Sequence, residues 1–220
     1  MTQPEGLIKS NEELESVLGT QESRINWLND QFLLTARSHP DNQSYITVES
    51  FNLKMDPAIR RVMVAEISHQ LSEISTGDEV VYGIPAAGKE IGALVADALY
   101  LPTHIARKGS NIPGSWKNVL TVESPSYTTP SKIDTIQFGF AEEEMKAILV
   151  DDALATGNTT RACIEAFRKL GVEVVAVAAM FAKGFEGGID RIKELEIPII
   201  VPVVVERIGE NGQFVMKEFE

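Results

Sequence analysis

Cysteine is nearly absent: Cys163 stands alone in 220 residues, so no intrachain disulfide can form and a reducing compartment fits. Histidine is almost as scarce, and His39, His69 and His104 are too dispersed to suggest a Cys/His zinc site. Long apolar runs are missing too. The longest, Val174 to Ala182, falls far short of the ~20 residues that a spanning helix needs, and the polar N-terminus lacks the apolar stretch of a signal peptide. The expectation is a soluble, cytoplasmic protein with no membrane partner. Positive charge is in deficit: 20 Lys and Arg face 32 Asp and Glu, a formal net charge of −12. Such a field repels a phosphate backbone unless a local basic patch reverses it, so nucleic acid is not an expected partner. The chain does have apolar content, 44%, sufficient for the core of one globular domain with a short appendage, which excludes disorder.

Residues 10 to 37 carry Leu14, Val17, Leu18, Ile25, Leu28, Phe32 and Leu33 at helical spacings, with Gly19 and Thr20 dividing two helices. Residues 1–44 read as an N-terminal helical extension ending in a polar linker, Ser38 to Ser44, and residues 45–220 as the main domain. Tyr45 to Val48 reads as a short strand, and Asp56-Pro57 as the cap and first turn of a helix reaching about Ile74. From Glu79 the pattern alternates: strand to Ile84, helix Gly88 to Leu99, strand Thr103 to Ala106. After an interruption come strand Ala147 to Val150, helix Gly157 to Leu170 with Gly171 as C-cap, strand Val174 to Phe181, helix Gly188 to Leu195 and strand Ile199 to Val205. These strands are continuous apolar runs, as in strands covered on both faces, so the predicted fold is α/β: a parallel sheet flanked by helices. Residues 107–140 break the rhythm with Gly109, Pro113, Gly114, Pro125 and Pro130. Within them Val119 to Val122 and Ile133 to Ile136 could pair as a hairpin arm.

The most informative stretch runs from strand Ala147 to Val150 through Asp151 and Asp152 into Ala155-Thr156-Gly157-Asn158-Thr159-Thr160, which opens a helix. Ligands of open α/β sheets sit beyond the carboxyl ends of the strands, so both acids would face a ligand. The turn supplies backbone N–H groups, hydroxyls and the positive end of a helix, which suit a phosphate dianion. Gly157 permits close backbone approach. Adjacent carboxylates repel one another, so they need ribose hydroxyls, a cation or both. A helix cap and a turn would explain Asp152 or Thr156 singly, but not the whole cluster.

This stretch resembles the signature of the type I phosphoribosyltransferases: an apolar strand, two acidic residues, a short interval, then Thr-Gly-x-Thr. The resemblance implies that Asp151 and Asp152 hold the ribose hydroxyls of phosphoribosyl pyrophosphate as the catalytic pair, and that Ala155 to Thr160 hold its 5-phosphate. It also implies that the turn Gly83-Ile84-Pro85-Ala86-Ala87-Gly88 binds pyrophosphate, largely through the amides of Ala86, Ala87 and Gly88, with Lys89 a further contact. A competing reading takes Gly83 to Glu90 as a near-match to the ATP-binding loop of P-loop NTPases. Against it, Glu90 stands where a magnesium-binding hydroxyl belongs, and Pro85 removes one N–H from the cradle.

Three further segments resemble the xanthine and related purine phosphoribosyltransferases. Phe51-Asn52-Leu53-Lys54-Met55-Asp56-Pro57 gives Asn52 a base contact; Ala106-Arg107-Lys108 leads into the arm and offers Arg107 and Lys108 to pyrophosphate; Lys183-Gly184-Phe185 lines the base pocket. Phe185 could stack on a purine, and Lys183 could orient an exocyclic oxygen. The resemblance makes the arm a hood over the substrate, with Tyr127, Thr128 and Thr129 as tip contacts. A lid is needed because an exposed oxocarbenium-like centre would hydrolyse. It further implies a homodimer, magnesium (Mg2+) bridging substrate oxygens, and transfer of the 5-phosphoribosyl group to a purine base. A second reading keeps the phosphoribosyl pyrophosphate site but makes the protein a non-catalytic regulator.

Overall fold

The computed structural model of the chain describes residues 11–39, 42–54, 56–111, 114–127, 129 and 131–218. Helices α1 (Asn11–Leu18) and α2 (Gln21–Thr35) part at Gly19 and Thr20 as expected. The Thr20 hydroxyl accepts from the Ser23 N–H at 3.0 Å while the Ser23 hydroxyl accepts from the Thr20 N–H at 3.1 Å, a reciprocal cap. The expected linker is instead part of a hairpin. Strand β1 (Ala36–His39) pairs antiparallel with β2 (Asn42–Val48), Ala36 opposite Val48. Ala36, Ile46 and Val48 are buried, an apolar anchor that the polar residues around them conceal in sequence. Leu28, Phe32 and Ala36 share one core with Phe51, Ile59 and Phe181, so extension and sheet pack together.

A π-helical turn (Glu49–Leu53) leads to α3 (Pro57–Ser72). The Asp56 carboxylate accepts from the N–H groups of Ala58 at 2.8 Å and Ile59 at 3.3 Å. The extension is fastened to α3 by a buried ion pair: Arg24 Nε donates to Glu66 Oε2 at 2.6 Å, and Gln21 Nε2 donates to Glu66 Oε1 at 2.9 Å. Glu66 has no solvent exposure. Arg24→Met should therefore lower the unfolding free energy by ~3–5 kcal/mol, the cost of stranding a buried charge, seen as a lower urea midpoint.

The next elements are β3 (Glu79–Gly83), α4 (Gly88–Leu99) and β4 (Thr103–His104), then the arm strands β5 (Ala106–Lys108), β6 (Leu120–Pro125) and β7 (Ile133–Phe138). After them come β8 (Lys146–Leu154), α5 (Asn158–Lys169), β9 (Glu173–Lys183), a 3-10 turn (Gly184–Glu186), α6 (Gly188–Lys193), β10 (Ile199–Ile200), β11 (Val203–Ile208) and β12 (Phe214–Met216). The main sheet has the order β12-β11-β9-β8-β3-β4, with β10 also on β9; all pairs are parallel except β11 with β12. The strand expected over 199–205 breaks at Pro202, which has no N–H for the ladder, into β10 and β11. The arm is a separate antiparallel sheet, β5-β7-β6, into which Ala106 is diverted from the strand expected over 103–106.

Two cores flank the main sheet. One holds α2, α3 and α4, with Phe32 edge-on to Phe51 at 5.7 Å. The other holds α5 and the arm, where Phe167 lies 5.0 Å from both Tyr82 and Phe138. Among the described residues no helix is long and apolar enough to cross a membrane.

Candidate active site

Gly83, the last residue of β3, pairs with Val150 of β8, so the part of β8 from Asp151 to Leu154 runs on beyond the carboxyl end of β3. From β3 the chain crosses to β4 through α4, whose Ile91 and Val95 belong to the first core. From β8 it crosses the other way to β9 through α5, whose Cys163, Ile164 and Phe167 belong to the second. Connections that diverge to opposite faces open a crevice at this switch point. A cavity of ≈ 290 Å³ lies there, lined by Asp151, Asp152 and residues 155–160 and also by Tyr45, Tyr127, Phe181 and Lys183.

The turn before α5 is shaped for an anion. Gly157 takes a left-handed conformation, φ 75°, and α5 begins with no side-chain cap, so the N–H groups of its first turn remain for a ligand. A Cβ on Gly157 would lie 3.0 Å from the Gly188 carbonyl oxygen, and Arg191 steadies the turn by donating to the Thr156 carbonyl at 2.5 Å. The Thr159 hydroxyl meets that of Ser124 at 3.2 Å, tying arm strand β6 to this turn.

Asp151 opens to the cavity on one side and is enclosed by protein on the others. Its Oδ1 accepts from the Asp152 N–H at 2.8 Å. Burial, and next the charge of Asp152, push the Asp151 carboxyl well above the usual carboxylate range. A partner that neutralises or hydrogen-bonds the pair would relieve this. The loop after β3 presses on the same acid: a Cβ on Gly88 would fall 2.7 Å from the Val150 carbonyl oxygen and 2.8 Å from Asp151 Cα.

The cavity thus gathers Asp151, Asp152, Ala155 to Thr160, Lys108 and Lys183. It does not gather all the expected residues. Ala86, Ala87 and Lys89 lie outside its lining, where Ile84 and Pro85 stand for their loop; Gly88 reaches it only through Asp151. Arg107 is also outside, because neighbouring strand residues point to opposite faces and Lys108 takes the inner one, 2.8 Å from Asp134 Oδ2. Phe185 is 38% exposed on the 3-10 turn and is not among the residues that line the cavity. The side chain of Asn52, and Thr128, fall outside the described residues.

Sequence reasoning missed Tyr45, Ile46 and Thr47 of β2 and Asp134, all of which line the cavity. It also missed Glu186, whose Oε1 lies 3.6 Å from Lys183 Nζ. The Lys183 ammonium donates to the Tyr127 hydroxyl at 2.7 Å and lies 4.7 Å from the Tyr127 ring centre and 5.6 Å from that of Tyr45. Burial pushes Lys183 below the usual ammonium range, against the opposing pull of Glu186.

A switch-point cavity with paired acids and an uncapped helix start has the chemistry to receive a phosphorylated ligand. A model of the phosphoribosyl transferase domain matches residues 55–209, most of the chain. The chain belongs to the phosphoribosyltransferase family. This overturns the ATP-loop reading of Gly83 to Glu90, whose Lys89 and Glu90 are exposed.

Xanthine phosphoribosyltransferase of Streptococcus thermophilus is 33% identical over 144 residues, 65% of this chain and 74% of that protein. Its namesake from Streptococcus pneumoniae (strain P1031) is 30% identical over 159 residues, 71% of this chain and 81% of that protein. Among solved structures, Trypanosoma brucei adenine phosphoribosyltransferase, in complex with AMP, pyrophosphate and ribose-5-phosphate, matches with a TM-score of 0.69 at 17% identity, covering 84% of this chain and 82% of that one. The Rhodothermus marinus adenine enzyme matches with a TM-score of 0.64 at 20% identity, covering 80% and 98%. These structures establish the shared fold.

Proposed function

We propose that the protein transfers the 5-phosphoribosyl group of phosphoribosyl pyrophosphate to a purine base in purine salvage, releasing pyrophosphate. The observation that carries this is that Asp151 and Asp152 line one cavity together with the uncapped turn 155–160. The turn takes the 5-phosphate, and the two acids accept from the ribose hydroxyls and favour positive charge developing on the sugar ring. Lys108, held by Asp134, faces the departing anion. No protein nucleophile is required.

Magnesium fits this donor set in a limited way. No group of three or more metal-ligating side chains exists among the described residues. Asp151 or Asp152 could hold an ion that takes its remaining ligands from substrate and water, and when bound it would supply charge neutralisation at the phosphates.

At the base end, Lys183 carries an ammonium, a donor with no acceptor capacity. It suits a purine with an exocyclic oxygen better than adenine, whose amino group is itself a donor. The names of the xanthine relatives support the same choice. With phosphoribosyl pyrophosphate and magnesium supplied, kcat/KM for pyrophosphate release should be at least about tenfold higher with xanthine, hypoxanthine or guanine than with adenine. Preference for adenine would reverse the base assignment. Tight binding of phosphoribosyl pyrophosphate without release for any base would favour a regulator.

A further inference from the structure

We propose that Tyr127 is a positioning residue that latches the hood to the base end of the cavity by bridging Lys183 and Glu186. Its kinetic consequence rests on the transfer reaction proposed above; its structural consequence does not.

Tyr127 lies just past β6, in the turn that closes the arm where the Ser126 N–H donates to the Lys132 carbonyl at 2.8 Å. Its hydroxyl accepts from Lys183 Nζ at 2.7 Å and donates to Glu186 Oε1 at 2.8 Å. Lys183 is the last residue of β9 and Glu186 the last of the 3-10 turn that follows, so one phenol joins the arm sheet to the main sheet. The ion pair beneath it is long, 3.6 Å, and Lys183 is 3% exposed. A buried ammonium needs close polar partners, and this one takes a close partner from an element of the hood.

The consequence is a coupling between hood and base pocket. A hood in place fixes the direction of the Lys183 ammonium between the rings of Tyr127 and Tyr45. A displaced hood removes the bridge and leaves that direction less defined. The sugar-phosphate wall is a different part of the hood's footing, through Ser124 and Thr159, so loss of the Tyr127 hydroxyl should be felt at the base and not at the phosphates.

Tyr127→Phe keeps the ring and deletes both hydrogen bonds. KM for the purine should rise about tenfold while KM for phosphoribosyl pyrophosphate stays within about twofold. In the ligand-free protein, amide hydrogen exchange across residues 120–138 should speed up about tenfold. Glu186→Ala, which removes one end of the bridge, should show the same pattern at smaller size. Equal rises in both KM values, or unchanged exchange in Tyr127→Phe, would overturn the proposal, as would a Glu186→Ala protein indistinguishable from the parent. If the parent protein releases no pyrophosphate with any purine, the transfer assignment fails, and exchange decides the latch: faster exchange in Tyr127→Phe upholds it and equal exchange removes it.

Discussion

Asp151→Asn is expected to lower kcat by about 10²–10³-fold, and at the same time to make the protein harder to unfold at neutral pH. The activity loss follows from geometry under the proposed transfer: the Asp151 carboxylate, in the last half of β8, lines the cavity with the turn 155–160, and an amide cannot favour positive charge on the sugar. The stability gain follows from electrostatics. Burial and the charge of Asp152 raise the folded-state pKa of Asp151 above its unfolded value. The folded protein then binds more protons than the unfolded chain between those two values, so stability falls as pH rises through that interval and stays low above it. Asn removes the cost. Its stabilisation should be complete above the folded pKa and absent below about pH 4, where the acid is protonated in both states. Thermal melts of Asp151→Asn and the parent near pH 4 and near pH 8 measure this. A variant that loses activity and melts lower by the same amount at both pH values would show that the acid is structural.

Gly88→Ala should be severely damaging for a change of a single methyl group. The added carbon would fall within 3 Å of the Val150 carbonyl oxygen and Asp151 Cα, backbone atoms of the central strand that have no room to move. We expect a loss of ~3 kcal/mol or more in unfolding free energy, read from urea denaturation. Protein that does fold should lose activity on the order of 100-fold, because the cheapest relief is to push Asp151 or the loop out of place. Gly209→Ala provides the comparison: its Cβ would meet the Gln213 carbonyl at 3.5 Å, an ordinary contact, and the change should stay within about 0.5 kcal/mol. Equal effects of the two substitutions would deny the close approach its importance.

The parts of the site that are contiguous in the chain were legible before any fold was known. Asp151 to Thr160 follow one another through one strand, turn and helix start and line the cavity together. The alternating strands and helices after Glu79 were legible for the same reason, since each buries its own apolar face. What escaped depends on distant partners. Ala36 to His39 contain one buried apolar residue, and their strand character comes from pairing with β2 and from Phe32 packing on Phe181 at 5.5 Å. Strand β8 runs to Leu154 because β9 continues beside it as far as Ala182. Arg107 and Lys108 looked equivalent as a basic pair, but the pleat separates them. Glu186 gains its place from Lys183 and Tyr127, the latter more than fifty residues away in sequence.

The buried Arg24–Glu66 pair bears on how the family's domain can be cut out of this chain. Residues 55–209 would make a plausible minimal fragment, yet Tyr45, Ile46 and Thr47 form one wall of the cavity, and the helices before them supply Leu28 and Phe32 to its supporting core. A fragment trimmed to those limits would expose Glu66 and Phe181 to water and leave the pocket open where Tyr45, Ile46 and Thr47 stand. Here the segment ahead of the shared domain supplies both cavity lining and core.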